Sequence, residues 1–442
     1  MSKSVAIVTL GCSKNQVDSE IMSGRMSEKY CLVKDPEQAD IIIVNTCTFI
    51  ERAKEESINT LLEMAQFKED SQCKTLVAAG CLAQRYGEEL MAEIPELDGI
   101  LGTGNVAEIL EVVEEAQIQK TRHVSLDIPR FLYNDTMSRN RLSPKHYAYV
   151  KVAEGCDNYC TYCIIPHVRG RFRSRPEESI IREAQHMAEE GVKEILLIAQ
   201  DTTRYGIDLY GEYRLPSLIR KIADIEGIEW IRLMYCYPDL FTDELIQTMK
   251  DTPKVCRYLD IPLQHADNQI LKEMNRRGTR EDTELLIQKL RQAMPDIRIR
   301  TTMITGFPGE SETQFKNLLD FVKFVGFDRL GAFAYSQEES TPAAKRKDQV
   351  PEDVREKRCE ELMQLQQTIS LERQQRWRGQ LLKVLIEEKL PDGRFLGRSE
   401  GDAPEIDGSV YVNSSAELII GEFAQVKIQD VDSYDLMGEV VS

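Results

Sequence analysis

Cys156, Cys160 and Cys163 lie in the segment Val150-Lys-Val-Ala-Glu-Gly-Cys156-Asp-Asn-Tyr-Cys160-Thr-Tyr-Cys163, a Cys-x3-Cys-x2-Cys spacing. Three thiolates on one tight loop can each hold one iron of a cubane iron–sulfur cluster. A cubane has one iron more than this loop has thiolates, and an open coordination position marks a catalytic rather than a structural metal site. A zinc knuckle completed by His167, or three unrelated buried thiols, are the readings the spacing alone leaves open.

Cys12, Cys47 and Cys81 form a second set, scattered in sequence but alike in placement, since each directly follows a short apolar run. The runs Ser4–Leu10, Ile41–Asn45, Thr75–Gly80 and Gly99–Gly102 have the length of buried strands. Between them lie amphipathic stretches such as Phe49–Gln66 and Gln84–Glu93, so residues 1–125 read as a small parallel, doubly wound sheet. Ligands gather at the C-terminal strand ends of such sheets. Three thiols at those ends converge into a second cluster site, although buried structural thiols are the commoner fate of single cysteines. Gly11 and Gly80 beside two of them would let the backbone approach closely.

The first cysteine loop needs a different scaffold. Residues 126–145 lack periodicity and read as a linker. Strand candidates then recur at Ala148–Glu154, Lys193–Gln200, Glu229–Tyr235, Arg257–Leu263, Ile297–Ile304 and Arg329–Tyr335, with helical stretches such as Glu177–Glu190, Leu215–Ile225, Glu281–Ala293 and Ser311–Val325 between them. Six β/α units make a partial or full parallel barrel over 146–376, which places the cysteine loop at the mouth where barrel active sites sit. Gln200 and Asp201 end a strand at the same mouth, and Gly306 follows another. A charged helix near Pro351–Arg376 leads into residues 377–442, whose Val, Ile, Gly and Asp content reads as a small all-β barrel.

Bulk properties narrow the class. The chain of 442 residues contains 11 cysteines. The N-terminal run lacks a signal-peptide pattern, and no apolar stretch approaches the roughly 18–20 residues of a membrane span, so a cytoplasmic protein is expected. Disulfides do not persist there, which leaves buried, catalytic or metal-bound thiols. Cys31, Cys73, Cys236, Cys256 and Cys359 show no suggestive placement and read as structural. A net charge of −18 disfavours broad nucleic-acid binding, which needs a basic face.

The three-cysteine loop, with the aromatic Tyr162 before its last cysteine, resembles the signature of the radical S-adenosylmethionine (SAM) superfamily. The resemblance implies a 4Fe–4S cluster on Cys156, Cys160 and Cys163 whose free iron chelates SAM, and reductive cleavage of SAM to a radical that takes hydrogen from an unactivated carbon. Gly306-Phe-Pro-Gly-Glu310 resembles the superfamily's turn near the adenosyl group. Tyr162, Gln200, Asp201, Gly306 and Arg169 are the candidate cofactor contacts. Arg169, Arg171, Arg173 and Arg175 could grip a carboxylate, with ordinary ion pairs as the equal alternative.

Two cysteine triads followed by a β barrel resemble the methylthiotransferases over the whole chain. That implies a flavodoxin-like domain, a radical SAM (β/α)6 partial TIM barrel and a TRAM barrel, with two 4Fe–4S clusters and SAM as cofactors. Thr9-Leu-Gly-Cys-Ser-Lys-Asn-Gln-Val-Asp-Ser-Glu20, Ile261-Pro-Leu-Gln-His265 and Arg398-Ser-Glu-Gly-Asp-Ala-Pro-Glu-Ile-Asp-Gly408 resemble the branch that modifies an aspartate β-carbon of the small-subunit ribosomal protein numbered twelve. From Gly379 to Ser442, 13 Asp and Glu stand against 5 Lys and Arg. So acidic a barrel suits a basic ribosomal protein and not tRNA. An electron donor such as flavodoxin or ferredoxin is also implied. The rival readings are a tRNA methylthiotransferase and a two-cluster electron carrier, the latter disfavoured by three rather than four thiols per set.

Overall fold

The computed structural model describes residues 3–119 and 123–441. The first domain runs β1 (Ser4–Thr9), α1 (Ser13–Ser27), β2 (Cys31–Leu32), β3 (Ile41–Thr46), α2 (Glu51–Asp70), β4 (Thr75–Ala79), α3 (Gly80–Glu93), β5 (Gly99–Leu101), α4 (Ile109–Gln119) and β6 (His123–Ser125). Its sheet has the order β2-β1-β3-β4-β5-β6, parallel throughout. Central β3 is buried along its whole length, as its unbroken apolar run requires under helices on both faces. The edge strands β2 and β6 escape a sequence reading because two or three residues leave no pattern.

Helix α1 also departs from amphipathic patterning. Lys14, Asn15, Asp18, Ser19, Glu20 and Ser23 are all buried beside Val17, Ile21 and Met22. Its polar face is covered because it packs against the second domain.

That domain holds β7 (Tyr147–Lys151), β8 (Ala153–Glu154), α5 (Ile165–Arg169), β9 (Arg173–Ser174), α6 (Glu177–Glu189), β10 (Glu194–Ile198), α7 (Ile207–Tyr210), α8 (Leu215–Ala223), β11 (Trp230–Leu233), α9 (Asp243–Asp251), β12 (Tyr258–Asp260), α10 (Asn268–Glu273), α11 (Arg280–Ala293), β13 (Arg298–Thr305), α12 (Glu312–Val325), β14 (Arg329–Ala334) and α13 (Glu352–Gln374). Two three-stranded parallel sheets, β11-β10-β7 and β12-β13-β14, meet through the Ile231–Val255 bridge. Among the described residues no ladder joins β7 to β14, so the six strands form an open barrel. One strand face (Ala148, Val150, Ile195, Leu197, Ile231, Leu233) packs on the helices. Tyr147, Tyr149, Leu196, Ile198, Trp230 and Tyr258 turn the other way and share a cluster with Val17, Ile21 and Met22. The first domain thus covers the inner side of the barrel. The 126–145 segment carries no regular element but is pinned, with Arg139 paired to both Glu20 and Glu183 at 2.5 Å.

The third domain is a closed barrel, β15 (Leu381–Lys389), β16 (Phe395–Ser399), β17 (Val410–Asn413), β18 (Phe423–Val431) and β19 (Leu436–Val440). Its 398–408 segment docks at the N-terminal ends of the radical-domain strands. Arg398 pairs with Glu194 at 2.7 Å, and Asp402 pairs with Arg298 at 2.9 Å and Arg329 at 2.8 Å. The Tyr147 hydroxyl donates to Glu405 at 3.0 Å. The acidity expected to face a partner is therefore partly internal, because Asp402, Glu405 and Asp407 neutralise or cap groups of the barrel floor. No helix of the described residues is long and apolar enough to cross a membrane.

Candidate active site between two cysteine triads

The radical loop starts where β8 ends. Gly155 has φ +81°, and a Cβ there would lie 2.1 Å from the Arg171 carbonyl oxygen, so only glycine lets the chain turn into Cys156. The Cys156 N–H donates to the Gly170 carbonyl at 3.1 Å, and the Cys163 N–H to that of Cys160 at 3.0 Å. Thr161 N–H donates to Met274 O at 3.0 Å, and the Asn275 amide donates to the carbonyls of Asn158 and Tyr159. Asp201 accepts from the Asn158 amide at 2.9 Å. The loop is held from three sides, by the residues that follow α5, α10 and β10.

The thiols respond to that enclosure. Burial pushes Cys156 up to about 12 and Cys163 higher still, with the neighbouring thiols adding to it. Iron binding must therefore displace protons the apo loop holds tightly. Arg276, from beyond α10, reaches within 3.9 Å of Cys160 Sγ.

In the first domain Gly11, φ +87°, lies so close to Cys47 that a Cβ would be 2.8 Å from Cys47 Cβ. Gly80, φ +90°, abuts Asn45 in the same way. Asn15 cross-ties the three strand ends: its amide donates to Leu10 O and Thr46 O, both at 2.9 Å, and its Oδ1 lies 3.6 Å from Cys81 Sγ. Cys81 sits in the first turn of α3, immediately after β4. Burial lifts Cys81 to about 12 and also raises Cys47. Cys12 is exposed at its surface although protein crowds its sulfur. That crowding would raise it, but the Lys14 ammonium, the Arg169 guanidinium and the Asn15 and Lys14 N–H groups bring it below the ordinary thiol value.

The structure gathers each set of sequence-predicted cysteines, and the segment at Arg169 and Gly170 touches both. Arg169, at the end of α5, donates through Nε to Cys81 Sγ at 3.3 Å, through Nη1 to Asp18 at 2.6 Å, and also to Asn15. The next residue, Gly170, is the one that receives the Cys156 N–H. Expected to grip a cofactor carboxylate, Arg169 is instead committed to the first domain. Asp18 and Glu154 share Lys151 at 2.6 and 2.7 Å, closing a buried network across the interface. Burial would raise Glu154, but Lys151 and then Arg169 outweigh it and hold it at about 2. Arg175 is likewise structural, paired with Glu183 at 2.5 Å, while Arg171 is exposed.

The remaining candidates divide. Gln200 donates to Glu154, and its Oε1 is buried without a partner. Tyr162 packs against Ile270, Phe307 and Tyr335 below the loop. Asp201 is spent on Asn158 and Thr203. Gly306 backs onto Arg355 of α13 and donates its N–H to Glu310 at 2.9 Å. His265 is fully buried, accepting the Asp267 N–H on Nδ1 and reaching Glu310 through Nε2, a structural role. Asn15 and Arg276 went unnoticed in the sequence; a polar residue three positions past Cys12 is the only signal that could have flagged Asn15. Cys73, Cys236 and Cys256 are buried apart from both sets.

Three family models match in chain order: residues 4–102 the uncharacterized protein family UPF0004, residues 150–322 the radical SAM superfamily, and residues 379–441 the TRAM domain. A Desulfitobacterium hafniense protein named ribosomal protein uS12 methylthiotransferase RimO is 72% identical over 441 residues, covering 100% of this chain and 99% of that one. The chain belongs to the RimO methylthiotransferase family. Family proteins of the same name from Desulforamulus reducens and Geobacter sulfurreducens are 52% and 47% identical, each aligned over 99% of this chain and over 99% and 98% of theirs. The fold is shared with the radical SAM methyltransferase TsrM of Kitasatospora setae, solved with cobalamin and a 4Fe–4S cluster (TM-score 0.57, 14% identity, 78% of this chain and 74% of that one). It is shared too with the cobalamin-dependent radical enzyme OxsB (TM-score 0.52, 14% identity, 83% of this chain and 58% of that one).

The family works with SAM and 4Fe–4S clusters, and the donor sets fit such groups. Each triad is all sulfur, and one thiol of each lies beside a guanidinium. Among the described residues no three His, Cys, Asp or Glu side chains stand close enough to hold a single metal ion. A cubane makes no such demand, since it spreads its ligands over separate irons. The orphaned Gln200 Oε1 is an acceptor suited to an ammonium such as that of SAM.

Proposed function

We propose that this chain replaces a hydrogen on the β-carbon of an aspartate in ribosomal protein uS12 with a methylthio group, working in the cytoplasm with electrons from a flavodoxin or ferredoxin. The observation that carries the reading is the pair of three-thiol sets in adjoining domains, linked through the neighbouring residues Arg169 and Gly170. When bound, the clusters and SAM supply the radical and the sulfur and methyl groups.

The chain's own residues hold and shield that chemistry. Cys156, Cys160 and Cys163 would hold the SAM-cleaving cluster, and Cys12, Cys47 and Cys81 the other. Arg276 and Arg169 each place a positive charge against one sulfur, which would offset the negative charge of a thiolate-ligated cluster. Gln200 would take the amino group of SAM, with Tyr162 as an apolar wall. Asp201 keeps the cysteine loop in register through Asn158. Helix α1 closes the inner face of the barrel and excludes water there.

The test offers anaerobically reconstituted, reduced protein with SAM and sulfide two substrates separately: a peptide carrying the target aspartate loop of uS12, and an adenosine-containing tRNA stem-loop. Mass spectrometry should find a gain of about 46 Da, the mass of exchanging H for SCH3, on the peptide. Gain on the RNA alone would overturn the substrate while keeping the chemistry. No gain on either would overturn both.

A further inference from the structure

Lys14 is two residues from Cys12 and leads into the first turn of α1, yet it is only 7% exposed. Its ammonium sits 2.9 Å from the ring centroid of Tyr235. Among the described residues it makes no hydrogen bond and no ion pair. Three other cations there are matched: Lys151 and Arg169 share Asp18 and Glu154, and Arg139 holds Glu20 and Glu183. Buried charges are ordinarily paired, and a cation–π contact offsets only part of the loss of water. The ammonium nitrogen is also absent from the buried atoms that lack any partner, so it keeps an opening.

Tyr235 follows β11 at the C-terminal mouth of the barrel, the side on which Cys156, Gln200 and Asp201 lie. It is a non-glycine residue at φ +58°, held there by its N–H to Asp260 at 3.0 Å and its carbonyl to Thr202 N–H at 3.0 Å. Strained backbone of this kind persists where surrounding structure fixes a side chain for use. The Tyr235 hydroxyl lies 3.4 Å from Ser13 Oγ, so one aromatic ring spans the gap between the two domains.

We propose that Lys14 is the ion-pair anchor for the side-chain carboxylate of the residue to be modified, fixing an acidic target between the two cysteine sets. The proposal rests on the reading of the target as an aspartate. The ammonium acts on the Cys12 sulfur but has no carboxylate partner, and a target carboxylate would supply one at no further desolvation of the lysine. A neutral side chain of the same shape leaves the charge unpaired, which is how polar sites reject isosteres. SAM carries a carboxylate as well, so the two sources must be separated by experiment.

Full-length protein, Lys14→Met and Lys14→Arg are reconstituted and compared at equal iron and sulfide content. Fluorescence anisotropy then measures binding of uS12-loop peptides carrying Asp or Asn at the target position, and equilibrium dialysis measures SAM. Wild type should prefer the Asp peptide at least tenfold. In Lys14→Met that preference should fall to near unity through lost Asp-peptide affinity, and Lys14→Arg should recover most of it. Retained preference in Lys14→Met, no preference in wild type, or a loss confined to SAM affinity would each overturn the proposal. A wild-type protein that neither binds nor modifies the Asp peptide overturns the substrate reading itself, and the anchor falls with it.

Discussion

Replacing Asp402 with asparagine should loosen the C-terminal barrel from the radical domain by an amount the structure sets. Asp402 is 1% exposed and accepts from Arg298 at 2.9 and 3.0 Å, Arg329 at 2.8 Å and the Ser399 hydroxyl at 2.6 Å. Burial by itself would raise its carboxyl, but Arg298 and then Arg329 outweigh that and hold it at about 2. Against an ordinary aspartate near 3.9, a drop of about two pH units corresponds to roughly 2–3 kcal/mol. Asparagine keeps the shape and loses that charge; alanine also strands two buried guanidiniums and should cost about 3–5 kcal/mol.

The two tryptophans report this docking directly. Trp230 packs edge-on against Phe423 at 4.7 Å, and Arg298 lies 4.4 Å over Trp377. With urea slopes of roughly 1–3 kcal/mol/M, Asp402→Asn should lower the midpoint of the tryptophan transition by about 1 M at pH 7. The pH dependence has a definite sign. A depressed carboxyl stabilises the folded state fully above its unfolded value near 4, and the contribution fades as pH falls toward the folded value near 2. The gap between wild type and variant should therefore be about half closed at pH 3. Equal midpoints at pH 7, or a gap that does not narrow in acid, would refute the anchoring role.

Two further outcomes are expected. Cys156→Ala should abolish SAM cleavage to deoxyadenosine, whereas alanine at Cys12, Cys47 or Cys81 should preserve cleavage and stop sulfur insertion, with only the second cluster's paramagnetic signal lost; chromatography and spectroscopy on reduced protein decide both. Gly155→Ala forces a Cβ to within 2.1 Å of the Arg171 carbonyl oxygen at φ +81° and should displace the loop, costing about 1–3 kcal/mol locally and most of the radical-site iron. Full iron loading of that variant would show that the turn tolerates a side chain.

Patterns of two and three-and-a-half residues carry the same meaning in any context, so the long barrel strands and their outer helices could be read almost to the residue. Strand β13, for instance, was expected over Ile297–Ile304 and spans Arg298–Thr305. Helix α1 could not be read that way. Its buried Asp18, Ser19 and Glu20 look like a solvated face until Lys151, Arg169 and Arg139 arrive from another domain. The charge count over 379–442 likewise does not say that Asp402 and Asp407 face arginines of the barrel floor.

By itself the sequence determined the cysteine loop, because three ligands within one turn need no partner from elsewhere, and it determined the order of parallel sheet, β/α barrel and all-β barrel, because hydrophobic period is local. Only the tertiary structure decided which side chains stand between the two cysteine sets. Arg169 went to Asp18 and Cys81, Asn15 tied three strand ends together, and Lys14 was left buried without a carboxylate partner. Those outcomes depend on which charges meet once water is expelled from a domain interface, and that balance is set by contacts between residues the chain keeps far apart.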